Sequence, residues 1–191
     1  MKLGVIGVGQ GGGKIATSFY RNIEGTKIIA INTAPQDLKE IKIPEDCKIL
    51  TLNGALSEGG AGKNVKLGEK AIQLYRDQIL NKIKLDMSDR DMIYVCAGLG
   101  GGTGTLGMIN VLSILAKVGK LHGVICTIPE KIEGSTEKNN ALLAISNLQK
   151  AYKVSNNLRS IVFVDNQLLK EAALEATEAM KKPEGYEGLW D

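Results

Sequence analysis

Along the whole chain, short apolar runs alternate with longer stretches in which apolar residues recur three or four positions apart. The runs at 3–8, 27–32, 47–52, 92–97, 123–128 and 161–164 are rich in Val, Ile and Leu and lie between glycines and polar residues, which predicts buried strands. The stretches at 13–21, 34–40, 65–83, 105–118, 136–152 and 168–182 carry helical spacing. Strand followed by helix, over and over, predicts an α/β fold: a Rossmann-like six-stranded parallel sheet with helices on both faces. The expected strand order is 3-2-1-4-5-6, because the first and fourth strands each lead into a glycine-rich loop and that order brings both loops to one crevice.

Local punctuation agrees with these spans. Thr33 and Gln36 have the spacing of a capping box, with Pro35 in the first turn where its missing N–H costs nothing. Gly119-Lys120 reads as a helix stop with a cation near the helix end, and the stretch 183–188 breaks the last helix. There is no internal repeat and no linker long enough to separate domains, so 1–191 is expected to be one domain.

Composition narrows the function without choosing it. With 191 residues and 43% hydrophobic content, the chain can bury one substantial core. A formal net charge of +3 with mixed signs marks no nucleic-acid surface, so no direct nucleic-acid partner is expected. No apolar stretch approaches the ~20 residues that span a bilayer, so no membrane partner is expected either. Cys47, Cys96 and Cys126 lie far apart, two of them inside strand-like runs, which suits reduced thiols and a cytoplasmic protein. His122 is the only histidine; no His/Cys cluster can hold a transition metal, and a partly exposed structural role is expected for it.

The candidate chemistry lies in the glycines. Gly7-Val8-Gly9-Gln10-Gly11-Gly12 fits G-x-G-x-x-G between a strand and a helix, where backbone N–H groups and a helix N-terminus can meet an anion. A dinucleotide site would want an acid at the end of the second strand, yet that position reads Ile31-Asn32-Thr33. The second loop, Gly98-Leu99-Gly100-Gly101-Gly102-Thr103-Gly104-Thr105, offers side-chain-free backbone and two hydroxyls to a phosphate. It lacks the lysine of a Walker loop. No packing role is expected for so many glycines.

Gly100-Gly101-Gly102-Thr103-Gly104-Thr105 resembles the signature loop of the tubulin/FtsZ family. Further agreement runs in order from the first glycine loop through Asn32-Thr33, Gly60-Ala61-Gly62-Lys63-Asn64, Thr127-Ile128-Pro129, Glu133-Gly134 and Asp165-Asn166. The resemblance implies a GTP/GDP site with phosphate contacts at Gln10, Gly11, Gly12, Gly60, Ala61, Gly62, Gly100, Gly101, Gly102, Thr103 and Gly104. It implies ribose contacts at Thr127 and Glu133 and a guanine contact at Asn166, whose amide carries both a donor and an acceptor. No metal ligand set comes from protein side chains alone; Mg2+ would be held mainly by the phosphates.

Departures from the family pattern are specific. Leu106 stands for a glycine after the signature loop, Ala34 for an aspartate of FtsZ and Glu137 for an arginine of FtsZ. Gln10 and the order Asp165-Asn166 are tubulin-like. This mixture is similar to TubZ-like proteins of plasmids and phages, which implies a filament-forming GTPase for DNA segregation, self-associating lengthwise and working with a DNA-binding adaptor. The family's catalytic acidic residue and C-terminal domain have no counterpart in these residues. A naturally short product or a piece of a longer protein is therefore expected, binding GTP and hydrolysing it poorly alone, with the catalytic loop supplied by an adjacent subunit. A cell-division FtsZ-like protein, a non-catalytic GTP-binding regulator and an NAD(P)-binding oxidoreductase are the alternatives.

Overall fold

The computed structural model describes residues 1–51 and 60–179. Its strands are β1 Leu3–Val8, β2 Lys27–Asn32, β3 Lys48–Leu50, β4 Met92–Gly98, β5 His122–Ile128 and β6 Leu158–Asp165. Its helices are α1 Gly9–Asn22, α2 Pro35–Glu40, α3 Val65–Leu74, α4 Arg76–Asp86, α5 Gly102–Lys117, α6 Ser135–Val154 and α7 Asn166–Ala179. The six strands form one sheet in the order β3-β2-β1-β4-β5-β6, every pair parallel. The expected order and class are those observed.

The apolar strands bury on both faces. On one face Ile6, Val8, Ile29, Val95 and Val124 pack with Ile72, Ile79, Ile83, Met108, Leu115 and Leu148 from α3, α4, α5 and α6. On the other, Val5, Ile28, Ala30 and Cys96 pack with Ala16 of α1 and Leu38 of α2. Every residue of β1 is buried, as its central place requires. Burial pushes the Cys96 and Cys126 thiols up to about 12, so both are inert.

Three local expectations change. The helix expected at 65–83 is two, bent at Tyr75 (φ −98°, ψ 13°), although Ala71, Ile72, Ile79 and Ile83 are all buried. Nothing in their spacing marks the bend. The capping box does not form: α2 has no side-chain cap, and Asn32 Oδ1 instead accepts from the N–H groups of Thr33 and Ala34. His122 is not partly exposed but 1% exposed, its Nδ1 on the Lys120 carbonyl at 2.7 Å, and burial holds its pKa below the ordinary range. The Gly119 stop is as expected, with φ +70° and the N–H groups of Gly119 and Lys120 returning to Ala116 and Leu115. Position 52 of the third strand run, 180–182 of the last helix run and the stretch 183–188 lie outside the described residues.

Candidate functional site

Parallel pairing sets the site. Val8 is level with Ile31 on one side and Ala97 on the other, so β2, β1 and β4 end together and their following segments share one edge. There a crevice of about 540 Å³ opens between the glycine loops. Of the residues expected at the site, Gln10, Gly11, Ala61, Gly62, Gly101, Gly102, Thr103, Gly104, Thr127, Glu133 and Asn166 line it.

Two helix N-termini face this crevice. Neither α1 nor α5 has a side-chain cap or an acidic residue in its first turn. The leading N–H groups of a helix have no partner within it, and they carry the positive end of the helix dipole. Gln10 and Gly11 present those of α1; Thr103 and Gly104 present those of α5, whose Gly102 N–H is taken by the Gly62 carbonyl. Two uncapped helices of 14 and 16 residues at one cavity can attract and hold an anion.

The remaining expected glycines support the crevice from outside its lining. Gly12 is buried where α1 crosses β4: a Cβ there would lie 2.1 Å from the Cys96 carbonyl oxygen. Gly60, at φ +73°, is where the chain turns past Thr33 and Ala34. Gly100, at φ +120°, packs against Pro129 and Glu137. Packing also claims Gly102 and Gly104, contrary to expectation: Cβ atoms there would approach the carbonyl oxygens of Gly62 at 2.6 Å and Gly98 at 2.8 Å. Only at Gly101 of this loop does an added Cβ meet nothing within 4 Å.

The hydroxyls divide. Thr105 is fully buried, accepting from the Gly100 N–H and donating to the Gly101 carbonyl, so it ties the loop together. Thr103 lines the crevice and meets Thr33 Oγ1 at 2.6 Å. At the far end, Asp165 Oδ1 accepts from the Gln167 N–H at 2.8 Å and so caps α7, which leaves the Asn166 amide to the crevice. Glu133 accepts from the Glu130 N–H through Oε1 at 2.9 Å and lines the crevice.

Asn32, Thr33 and Asp37 also line the crevice, and sequence reading gave them no site role. Asn32 holds Asp37 Oδ2 at 2.9 Å. A carboxylate at an anion-attracting crevice would need a cation between it and a bound anion, a signal legible only once α2 is placed. Among the described residues no group of three or more His, Cys, Asp or Glu gathers to cage a metal, and no helix is long and apolar enough to cross a membrane.

The family model described as the tubulin/FtsZ family, GTPase domain, matches residues 2–173. Among curated relatives, cell division protein FtsZ 1 of Methanocaldococcus jannaschii is 35% identical over 184 residues, which is 94% of this chain and 49% of the relative. The tubulin-like protein TubZ of Bacillus cereus is 30% identical over 176 residues, covering 88% and 40%. Among solved structures, GDP-bound CetZ1 of Haloferax volcanii gives a TM-score of 0.79 at 25% identity, covering 94% of this chain and 57% of that one. A GTPγS-bound CetZ2 protofilament from the same organism gives 0.76 at 28%, covering 87% and 49%. The chain thus spans about half or less of the length of these curated relatives. By the family match over residues 2–173, this chain belongs to the tubulin/FtsZ family, GTPase domain.

Proposed function

We propose that the crevice binds GTP and GDP, with the phosphates on the N-termini of α1 and α5, the ribose beside Thr127 and Glu133, and guanine on the Asn166 amide. The convergence of two uncapped helix N-termini carries this proposal, because it supplies N–H donors and positive potential with no side-chain cap and no acidic residue in either first turn. Ala61 and Gly62 take the terminal phosphate, with Gly60 turning the chain behind them. The nucleotides named with CetZ1 and CetZ2 support the ligand class. Mg2+ would be held mainly by the phosphates, and Asp37 and Thr103 of the crevice lining could supply oxygen ligands to it, which fits the one-carboxylate habit of that ion. Bound there, it would neutralise phosphate charge. The chain's own part is to bind, orient and polarise; stabilising phosphate charge without a positioned water supplies part of a hydrolytic rate only. A complete GTPase site forms when an adjacent subunit contributes the acidic catalytic loop, so this chain binds GTP and turns it over slowly.

In the cell the protein forms lengthwise filaments that segregate plasmid or phage DNA through a DNA-binding adaptor. Gln10 and the order Asp165-Asn166 support that role, as does the identity to TubZ. A cell-division role is the second reading, favoured by the 35% identity to FtsZ 1. Binding is tested by titrating the purified chain with fluorescent GTP and competing with unlabelled GTP and ATP. Preferential competition by GTP is expected, and equal competition by ATP refutes the guanine assignment. Phosphate release that stays negligible from the chain alone, at any protein concentration, is expected; fast, concentration-independent turnover refutes the shared active site. Loss of a plasmid or phage replicon on gene disruption, with division intact, separates segregation from division.

A further inference from the structure

One side chain outside the crevice ties two of its loops together. Asn140 of α6 is 9% exposed, and its Nδ2 donates to the Lys63 carbonyl at 2.9 Å and to the Gly100 carbonyl at 2.8 Å. Both amide hydrogens are thus committed, one to each loop. One turn earlier on α6, the Glu137 carboxylate pairs with the Lys63 ammonium, which holds the carboxyl below the usual range. The residues before Lys63 are fastened as well. The Gly62 carbonyl accepts from the Gly102 N–H at 2.6 Å, and the Ala61 N–H donates to Thr33 Oγ1 at 3.0 Å.

We infer that Asn140 is a positioning residue for the terminal phosphate, with Glu137 orienting Lys63 beside it. The inference rests on the nucleotide site proposed above. The clamp fixes the distance between the 60–63 loop, which meets the terminal phosphate, and the N-terminus of α5, which holds the inner ones. The chemistry selects an amide: a primary amide has two hydrogens for two carbonyls, a hydroxyl has one and a carboxylate none. Burial keeps water from replacing the lost donors. The Lys63 side chain is 65% exposed, so its ion pair adds little to stability and acts by direction. Without the amide, two carbonyl oxygens face each other unpaired and the 60–63 loop moves off α5. The inner phosphates keep the N-terminus of α1, which shares no hydrogen bond with that loop among the described residues, and the Thr103 and Gly104 N–H groups in the first turn of α5. Triphosphate binding therefore suffers more than diphosphate binding.

The test is titration of wild type, Asn140→Asp, Asn140→Ser and Glu137→Gln with GTP and with GDP, with thermal unfolding in parallel. Asn140→Asp, which removes both donors, is expected to weaken GTP binding by about tenfold or more and GDP binding by less than about threefold. Asn140→Ser, which serves if the aspartate variant does not fold, should show the same split, and Glu137→Gln a smaller one. A folded Asn140 variant that binds both nucleotides as wild type does, or loses both equally, overturns the clamp. Wild-type protein that binds neither nucleotide overturns the site itself, and the clamp with it.

Discussion

The hydroxyl oxygens of Thr33 and Thr103 meet at 2.6 Å although 70 residues separate them, and Thr33 Oγ1 also accepts from the Ala61 N–H at 3.0 Å. One fully buried threonine thus joins the segment after β2, the 60–63 loop and the first turn of α5. Thr33→Val keeps the shape and removes the oxygen, so it should destabilise the fold by about 1–3 kcal/mol in urea denaturation, the cost of buried groups left unpaired. Thr33→Ser should restore most of that. A valine variant as stable as wild type refutes the junction.

Gly101 and Gly102 separate binding from folding. A side chain at Gly101 enters open space at the crevice, whereas one at Gly102 runs into the Gly62 and Ala61 carbonyl oxygens. Gly101→Val should lower nucleotide affinity at least about tenfold, or 1.4 kcal/mol, with the melting temperature unchanged. Gly102→Val should lower the melting temperature as well, because an overpacked site costs ~1–3 kcal/mol of stability. Unaltered binding by Gly101→Val, followed by calorimetry, would place the phosphates elsewhere.

Adjacent residues at the start of α7 have separable roles. Asn166→Ala should reduce the preference for GTP over ATP by about 1–3 kcal/mol and spare the fold. Asp165→Ala removes the cap on the Gln167 N–H and should cost about 1 kcal/mol of stability while leaving base preference in place. If alanine at Asp165 rather than at Asn166 erases nucleotide preference, the two assignments exchange.

Acid should destabilise the chain partly through His122. Burial depresses the folded-state pKa, so the unfolded state takes up a proton first as pH falls. The contribution of the neutral ring is fully present above the ordinary histidine range, about 6.5, and is lost as pH falls from there toward the depressed value. Urea unfolding across that window should show a slope that His122→Gln flattens. An equal slope in both proteins rules His122 out as its source.

Much of this was legible along the chain because it depends on near neighbours. Periodicity located all six strands, with ends shifted by up to three residues where pairing extended them, as at Leu158 in β6. Two strand-glycine-helix passages implied two helix N-termini at glycine loops, and motif order supplied the family. The bend at Tyr75 was not legible, since the same apolar spacing serves one helix or two. Nor was the cost of glycine at 102 and 104, because the atoms that exclude a side chain there belong to other loops.

The sequence by itself determined that this is a parallel α/β domain with glycine loops after its first and fourth strands, because strand and helix signals are local in the chain and the loop residues have no side chains to misread. Only the tertiary structure decided which groups share the crevice. Asp37 enters it because α2 packs beside β2, Thr105 leaves it because its hydroxyl closes its own loop, and Asn140 governs it from α6 because Lys63 and Gly100, 37 residues apart, converge within reach of one amide. Such relations are fixed by how helices cross a sheet, and crossing depends on packing among residues remote in sequence.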